Sequence, residues 1–411
     1  MENVPQKKLN KSFLLYAILF IGYLVFGFSE NIKGPAIPRM QDDFGVGEME
    51  VGLLLALNSA GYLLACSFTG LLVRKWGLKM AHLLAFGSMA AAGVLILLSF
   101  NFLQFTASYF LMYIGNGMLE IALGILAARF FTENTGRMMN LSHFFFGLSS
   151  TASPLLATWL INLKTGDTLL GWRGMYCLML GLSVIPMLPA FFTRFPGESE
   201  EKEERLSASG FLREPAAWLC TGILSLGVVS ELAVGGWMPN FLEKVYGWSP
   251  DSSAGLLSAF FLLYTLARLL LGPLTDKIGF VKSIAILSGF SGVCTLAGVL
   301  TGEAGAFLLA LSGIGIAPIY PTVMAFLAKR YGKSSDMAIS LTVTFMGIGS
   351  VIGNFLVGAI VDLFKKIFSG ASGSLAMGLQ AGYAFIGLCA LLCSATALAL
   401  YRFLKKKNQV L

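Results

Sequence analysis

Apolar residues along this 411-residue chain gather into twelve runs, each set off from the next by a short stretch rich in charge, glycine or proline. The runs lie at about residues 12–38, 50–73, 79–99, 103–129, 138–162 and 173–195, and then at about 215–240, 251–275, 282–300, 304–329, 336–363 and 378–403. Most approach the roughly 20 apolar residues that a helix needs to cross a bilayer. The pattern predicts an all-α membrane protein with twelve transmembrane helices. Pro35, Pro38, Pro154, Pro239, Pro318 and Pro321, with Gly115, Gly117, Gly313 and Gly315, are expected to mark bends and close approaches within them.

Polar stretches organise these runs. Lys7, Lys8 and Lys11 precede the first run as in a signal peptide, but no small-residue cleavage site follows, so a retained first helix is expected. The one strongly charged segment includes Glu198, Glu200, Glu201, Lys202, Glu203, Glu204 and Arg205 and separates six runs from six. It predicts a bundle over 1–195, a charged cytoplasmic linker over 196–214 and a second bundle over 215–411. With the N-terminus inside, 21 of the 29 Lys and Arg fall on the cytoplasmic side, 7 on the other, and Arg268 within a run. That bias predicts a multi-pass protein of the cell membrane with both termini cytoplasmic.

Composition excludes several classes. Hydrophobic residues make up 56% of the chain and charged residues only 12%, with a mean hydropathy of +0.76. Soluble domains carry about twice that share of charge. No insertion is long enough to hold a soluble catalytic domain, so no enzyme is expected. The net charge of +7 is explained by positive cytoplasmic loops and does not call for nucleic acid. Cys66, Cys177, Cys220, Cys294, Cys389 and Cys393 all lie in apolar runs without CxxC or CxxH spacing. They read as small buried hydrophobes, with no metal site and no disulfide framework. No cofactor is expected, and the Gly-x-Gly runs, inside apolar helices with no strand before them, are not phosphate loops.

The two halves repeat. At an offset of 201, Ser29, Glu30, Gly34 and Pro38 match Ser230, Glu231, Gly235 and Pro239. At 202, Tyr62, Ala65, Gly70 and Gly77 match Tyr264, Ala267, Gly272 and Gly279, and at 200, Gly115, Ala128, Gly147 and Ser150 match Gly315, Ala328, Gly347 and Ser350. The preserved order predicts two pseudo-symmetric six-helix bundles.

Certain stretches resemble a known family. The loop Gly70-Leu-Leu-Val-Arg74-Lys-Trp-Gly77 and its counterpart Gly272-Pro-Leu-Thr-Asp276-Lys277-Ile-Gly279 are similar to the cytoplasmic loop signature of the major facilitator superfamily. In that signature glycines allow a tight turn, and the acid pairs with a cation or caps a neighbouring helix in one state of the transport cycle. Asp276 and Lys277 fit it, whereas Arg74 stands in the acid's place in the first loop. Within the superfamily, Gly115-Asn-Gly-Met-Leu-Glu120, Asn140-Leu-Ser-His143-Phe-Phe-Phe-Gly147 and Gly313-Ile-Gly-Ile-Ala-Pro-Ile-Tyr320-Pro-Thr322 resemble the fucose, galactose and glucose proton symporters. The resemblance implies alternating access around a central cavity, with coupling acids in the first and fourth helices.

Intramembrane charge gives the same residues independent weight. A carboxylate at the bilayer centre costs about 2.5–3.5 kcal/mol on insertion scales, so one retained there is a functional candidate by default. Buried carboxyls in general keep a proton to higher pH, as a reversible carrier must. Glu120 is the expected proton-coupling acid, and Glu30 its partner or a hydrogen-bond acceptor for substrate. Glu231 mirrors Glu30 through the repeat. Arg268 requires a carboxylate, and Glu231 or a substrate anion could supply it. His143 either binds substrate or is a hydrogen-bonded packing residue, and His82 reads as a loop-edge residue. Asn31, Asn58, Asn116, Asn140, Tyr264, Tyr320, Thr322 and Asn354 could receive sugar hydroxyls, while Phe26, Trp237 and Tyr264 offer aromatic faces. Fewer than half of these are expected to touch ligand, the rest being packing amides.

The expected function is proton-coupled symport of a small polar solute, with a sugar as first candidate, by a monomer whose partners are the solute, protons and lipid. One alternative is a proton-coupled exporter of drugs or metabolites. Against it, Ser153-Pro154-Leu-Leu-Ala157-Thr158 stands where antiporters of the superfamily carry Gly-Pro-x-x-Gly-Gly. A second alternative is a non-transporting sensor or scaffold on the same fold.

Overall fold

A computed structural model describes residues 6–46, 48–166, 168–197, 207–369 and 373–409. Every one of the twelve apolar windows lies on helix, as it must where lipid offers the backbone no hydrogen-bond partner. The first window holds α1 (Gln6–Asn31) and α2 (Lys33–Phe44), and α3 (Glu48–Leu97) spans the second and third. Then come α4 (Phe102–Phe130), α5 (Thr135–Ile161), a two-stranded hairpin of β1 (Lys164–Thr165) and β2 (Thr168–Leu169), α6 (Gly171–Gly181) and α7 (Val184–Phe192). The short α8 (Ala208–Leu212) leads into α9 (Pro215–Tyr246), α10 (Pro250–Ile278) and α11 (Phe280–Leu300). The chain continues through α12 (Phe307–Ile316), α13 (Ile319–Tyr331), α14 (Ser335–Ile367) and α15 (Ser374–Lys406).

Among the described residues eight helical runs are long and apolar enough to cross a bilayer, and a ninth counts when the two parts of α5, bent by 43°, are joined. The difference from twelve reflects fusion and length. The runs Ala60–Leu97 and Gly302–Ile367 each hold two windows, and Pro215–Glu231 is apolar but shorter. The bend in α5 falls at the proline expected to kink it.

Sequence explains where the helices turn. Gly77 interrupts α3 with φ 84° and ψ 161°, and Gly279 separates α10 from α11 with φ 94° and ψ 143°. Only glycine adopts that backbone without strain, so the last residue of each repeated loop motif makes its turn. The break between α1 and α2 at Ile32 precedes Pro35, whose ring nitrogen cannot donate to the Asn31 carbonyl four residues back. Ser249 begins α10 as an N-cap, its hydroxyl accepting from the Ser252 amide at 3.2 Å.

The chain forms two compact units, one of Met1–Phe130 with Phe145–Glu204 and the other of Phe131–Phe144 with Arg205–Leu411. The division runs through α5, whose first turns belong to the second unit. Of the linker expected over 196–214, residues 198–206 lie outside those described. In the first unit α4 packs along α3 and against α1, and α3 also meets α6 and α7. Phe86, Tyr109, Leu123, Ile125 and Tyr176 are buried there. In the second, α15 packs on α9, α11 and α14, and α12 on α10 and α11, around Phe241, Phe260, Leu309 and Tyr383. Leu103, Leu155, Phe192, Leu300 and Phe355 are exposed, as suits helices whose outer faces meet hydrocarbon. No disulfide joins the six cysteines, five of them buried.

Candidate functional site

In the first unit polar chemistry gathers where α1 gives way to α2. Glu30, near the end of α1, accepts a 2.8 Å hydrogen bond at Oε1 from the Asn116 amide on α4. A carboxylate is an acceptor only, so it fixes which way that amide points. Asn116 Oδ1 therefore faces the Ser29 hydroxyl, which donates to it at 2.7 Å. Ser29 and Asn116 are both buried, and they hold Glu30 from one side.

On the other side stands Lys33, the first residue of α2. Its ammonium donates to the Tyr113 hydroxyl at 3.0 Å and lies 3.9 Å from Glu30 Oε2. Some 35% of the Lys33 side chain and 23% of that of Glu30 remain exposed. Glu120 is half-buried on α4, four residues beyond Asn116 and seven beyond Tyr113, a spacing that puts all three on one helix face. Asn31 donates to its own Gly27 carbonyl at 2.9 Å and to the Ser150 hydroxyl at 3.0 Å, so it joins α1 to the latter part of α5.

In the second unit Arg268 on α10 is almost wholly buried and heavily committed. Its Nε donates to the Ala317 carbonyl at 3.0 Å, Nη1 to the His143 carbonyl at 3.2 Å, and Nη2 to the Tyr264 hydroxyl. The guanidinium carbon sits 4.3 Å from the centre of the Tyr264 ring. Glu231 Oε1 is 3.9 Å from Nη2, so the carboxylate expected beside Arg268 is the acid on α9. The His143 and Tyr320 rings lie 4.9 Å apart. Trp237 is partly buried against the core cluster that contains Tyr264.

Asn140 is fully buried, with its Nδ2 donating back to the Gly136 carbonyl at 2.9 Å while its Oδ1 has no partner. The Thr322 hydroxyl is likewise buried without a partner. The side chains of Asn58 and Asn354 lie outside those described. His82 departs from expectation. It is fully buried within α3, its Nδ1 2.9 Å from the Leu78 carbonyl and its ring 5.0 Å from that of Phe195, because α3 resumes directly after the Gly77 turn.

The two loop motifs differ as their sequences suggest. Asp276 receives the Gly136 amide at Oδ1 and the Arg137 amide at Oδ2, both at 2.8 Å. A carboxylate thus caps the start of α5, where unmet amides and the helix dipole favour negative charge. Lys277 is exposed, as are Arg74 and Lys75 in the first loop. A cation in the position of Arg74 cannot accept amide hydrogens, so that loop cannot cap a helix in the same way.

Sequence reasoning missed Lys33, Ser29 and Tyr113. The signal for Lys33 is its position three residues after Glu30, within one helical turn of the acid.

The profile of the family described as Major Facilitator Superfamily matches residues 19–258 and 233–410. The chain belongs to this superfamily. It is therefore a multi-pass membrane transporter and not an enzyme. A TsgA homolog from Buchnera aphidicola subsp. Baizongia pistaciae is 24% identical over 370 residues, 88% of this chain and 92% of that protein. The glucose/mannose transporter GlcP of Bacillus subtilis is 21% identical over 371 residues, 84% and 88% of the two chains. The E. coli fucose:proton symporter FucP superposes with a TM-score of 0.79 at 16% identity, over 95% of this chain and 99% of that one. At that identity the likeness establishes a shared superfamily fold.

Proposed function

We propose that this transporter carries a small polar solute, with a sugar as first candidate, together with protons across a cell membrane, as a monomer with both termini cytoplasmic. The two six-helix halves at 1–195 and 215–411 alternate in opening the path. The observation that carries the reading is the Ser29–Asn116–Glu30 chain, with Glu120 one turn further along α4. It presents a held carboxylate and a second acid on helices that are otherwise apolar, and such groups are retained where they do work. The names of GlcP as a glucose/mannose transporter and FucP as a fucose:proton symporter point the same way.

In this cycle one proton enters at Glu120 and is shared with its partner Glu30, which lowers the negative charge of the site by one before the solute-loaded protein changes state, and it is released on the other side. Asp276 favours one state by capping α5, and its bonds to Gly136 and Arg137 break in the other. Purified protein in liposomes, given an inward proton gradient and a panel of labelled neutral and acidic sugars, tests the reading. Wild type accumulates solute, whereas Glu120→Gln exchanges it at equilibrium without accumulating it. Gradient-driven accumulation by Glu120→Gln refutes the assignment of Glu120.

A further inference from the structure

We infer that the transported solute carries one negative charge, that Lys33 receives it, and that it moves with one proton on Glu30 in an electroneutral step. The inference rests on the proton-coupled reading above and adds the chemical class of the solute: a hydroxylated monocarboxylate.

Lys33 and Glu30 do not form a closed ion pair. Charge-assisted N–H···O bonds close to about 2.7–2.9 Å when nothing restrains them, and here the separation is 3.9 Å. The restraint is visible. Asn116, itself held by Ser29, fixes Glu30 Oε1, while Tyr113 holds the Lys33 ammonium. An ammonium has three donors. One serves Tyr113 and the Glu30 contact is too long for a direct hydrogen bond, so the cation is open to a further acceptor. Its 35% exposure gives that acceptor room to arrive.

The same clamp makes proton and anion binding cooperate. A proton added at Glu30 goes to Oε2, the oxygen facing Lys33, since Oε1 continues to accept from Asn116 as the carbonyl oxygen of a neutral carboxyl. The new O–H bond removes the negative charge opposite the ammonium, and a solute carboxylate then supplies it. The charges added are one positive and one negative, so no net charge crosses with the loaded carrier. By linkage, each of the two raises the affinity for the other.

Other groups surround the pair. Tyr113, Tyr109 and Glu120 lie on α4, with Tyr176 of α6 3.4 Å from the Tyr109 hydroxyl. Cys66 is buried on α3, and Arg39 of α2 donates to the Pro35 carbonyl at 2.8 Å. In the second unit, Arg268 is engaged with Ala317, His143 and Tyr264, whereas Lys33 donates to the Tyr113 hydroxyl. Both amide hydrogens of Asn31 are engaged, with Gly27 and Ser150, so a solute hydroxyl meets this residue as a donor to Oδ1.

The test uses proteoliposomes of the full chain with D-gluconate and D-glucuronate as monoanions and D-glucose and L-fucose as neutral probes. An inward proton gradient is imposed, with membrane potential either clamped to zero by valinomycin and potassium or set inside-negative. The expected result is uptake of at least one monoanion at a rate independent of potential. Lys33→Gln lowers its apparent affinity by about tenfold or more, the loss of one charge-assisted contact, and Lys33→Arg retains the affinity, which separates loss of charge from misfolding. Proton-driven, current-carrying uptake of a neutral sugar that Lys33→Gln leaves unchanged overturns the inference and leaves the coupling reading standing. Absence of uptake of both monoanions also overturns it. Uptake indifferent to the proton gradient in wild type overturns the coupling reading itself.

Discussion

Glu30 with Lys33 and Glu231 with Arg268 share a separation of 3.9 Å, and the acids occupy equivalent places in the two halves of the chain. Their surroundings differ. Lys33 is held by one hydroxyl and is 35% exposed, while Arg268 is 3% exposed and bound to two backbone carbonyls and a tyrosine. An acid–cation distance alone therefore says little about role. What the cation is otherwise bonded to decides whether it serves as a strut or remains able to take a new partner.

Three substitutions probe this contrast, in decreasing order of expected effect. Arg268→Met removes the donors to Ala317 and His143 and leaves Glu231 without its cation. Breaking a buried pair from one side costs about 3–5 kcal/mol, and the partial exposure of Glu231 places the cost at the lower end. Thermal or denaturant unfolding in detergent measures it, and a loss below about 1 kcal/mol would make the two pairs equivalent. Asp276→Ala removes two amide contacts from the start of α5, for a cost of about 1–2 kcal/mol. Hydrogen exchange at Gly136 and Arg137 should quicken, while amides around Arg74 keep their rates. Lys33→Gln should cost about 0.2–1 kcal/mol, as for exposed ion pairs. A melting shift as large as that of Arg268→Met would show that Lys33 is a strut as well.

The helical architecture was legible because lipid imposes one rule on every span, and the twelve apolar windows obey it. Local turns were legible where a residue type has a single physical use, as at Gly77 and Gly279. The site was only partly so. Glu30 and Asn116 stood out as polar residues in apolar helices, but their mutual contact depends on how α1 packs on α4. Asn140 stood out equally and spends a donor on a carbonyl four residues back in its own helix, while Asn31 divides its donors between one such carbonyl and Ser150 across on α5. Nothing in one-dimensional spacing separates an amide aimed along its helix from one aimed across it. Lys33 was overlooked because the first run reads as one apolar span to residue 38, and its single cation was not weighed against the acid three residues before it.

Gly77 and Gly279 close the two loop motifs with nearly the same backbone angles, although Arg74 and Asp276 within those motifs carry opposite charges. In the two copies of the motif, backbone and side chain therefore answer to different demands. The turn calls for glycine in both because every alternative strains it, while the charge beside it follows what each loop has to hold. The repeat in this molecule is read more securely from its bends than from its ionisable groups.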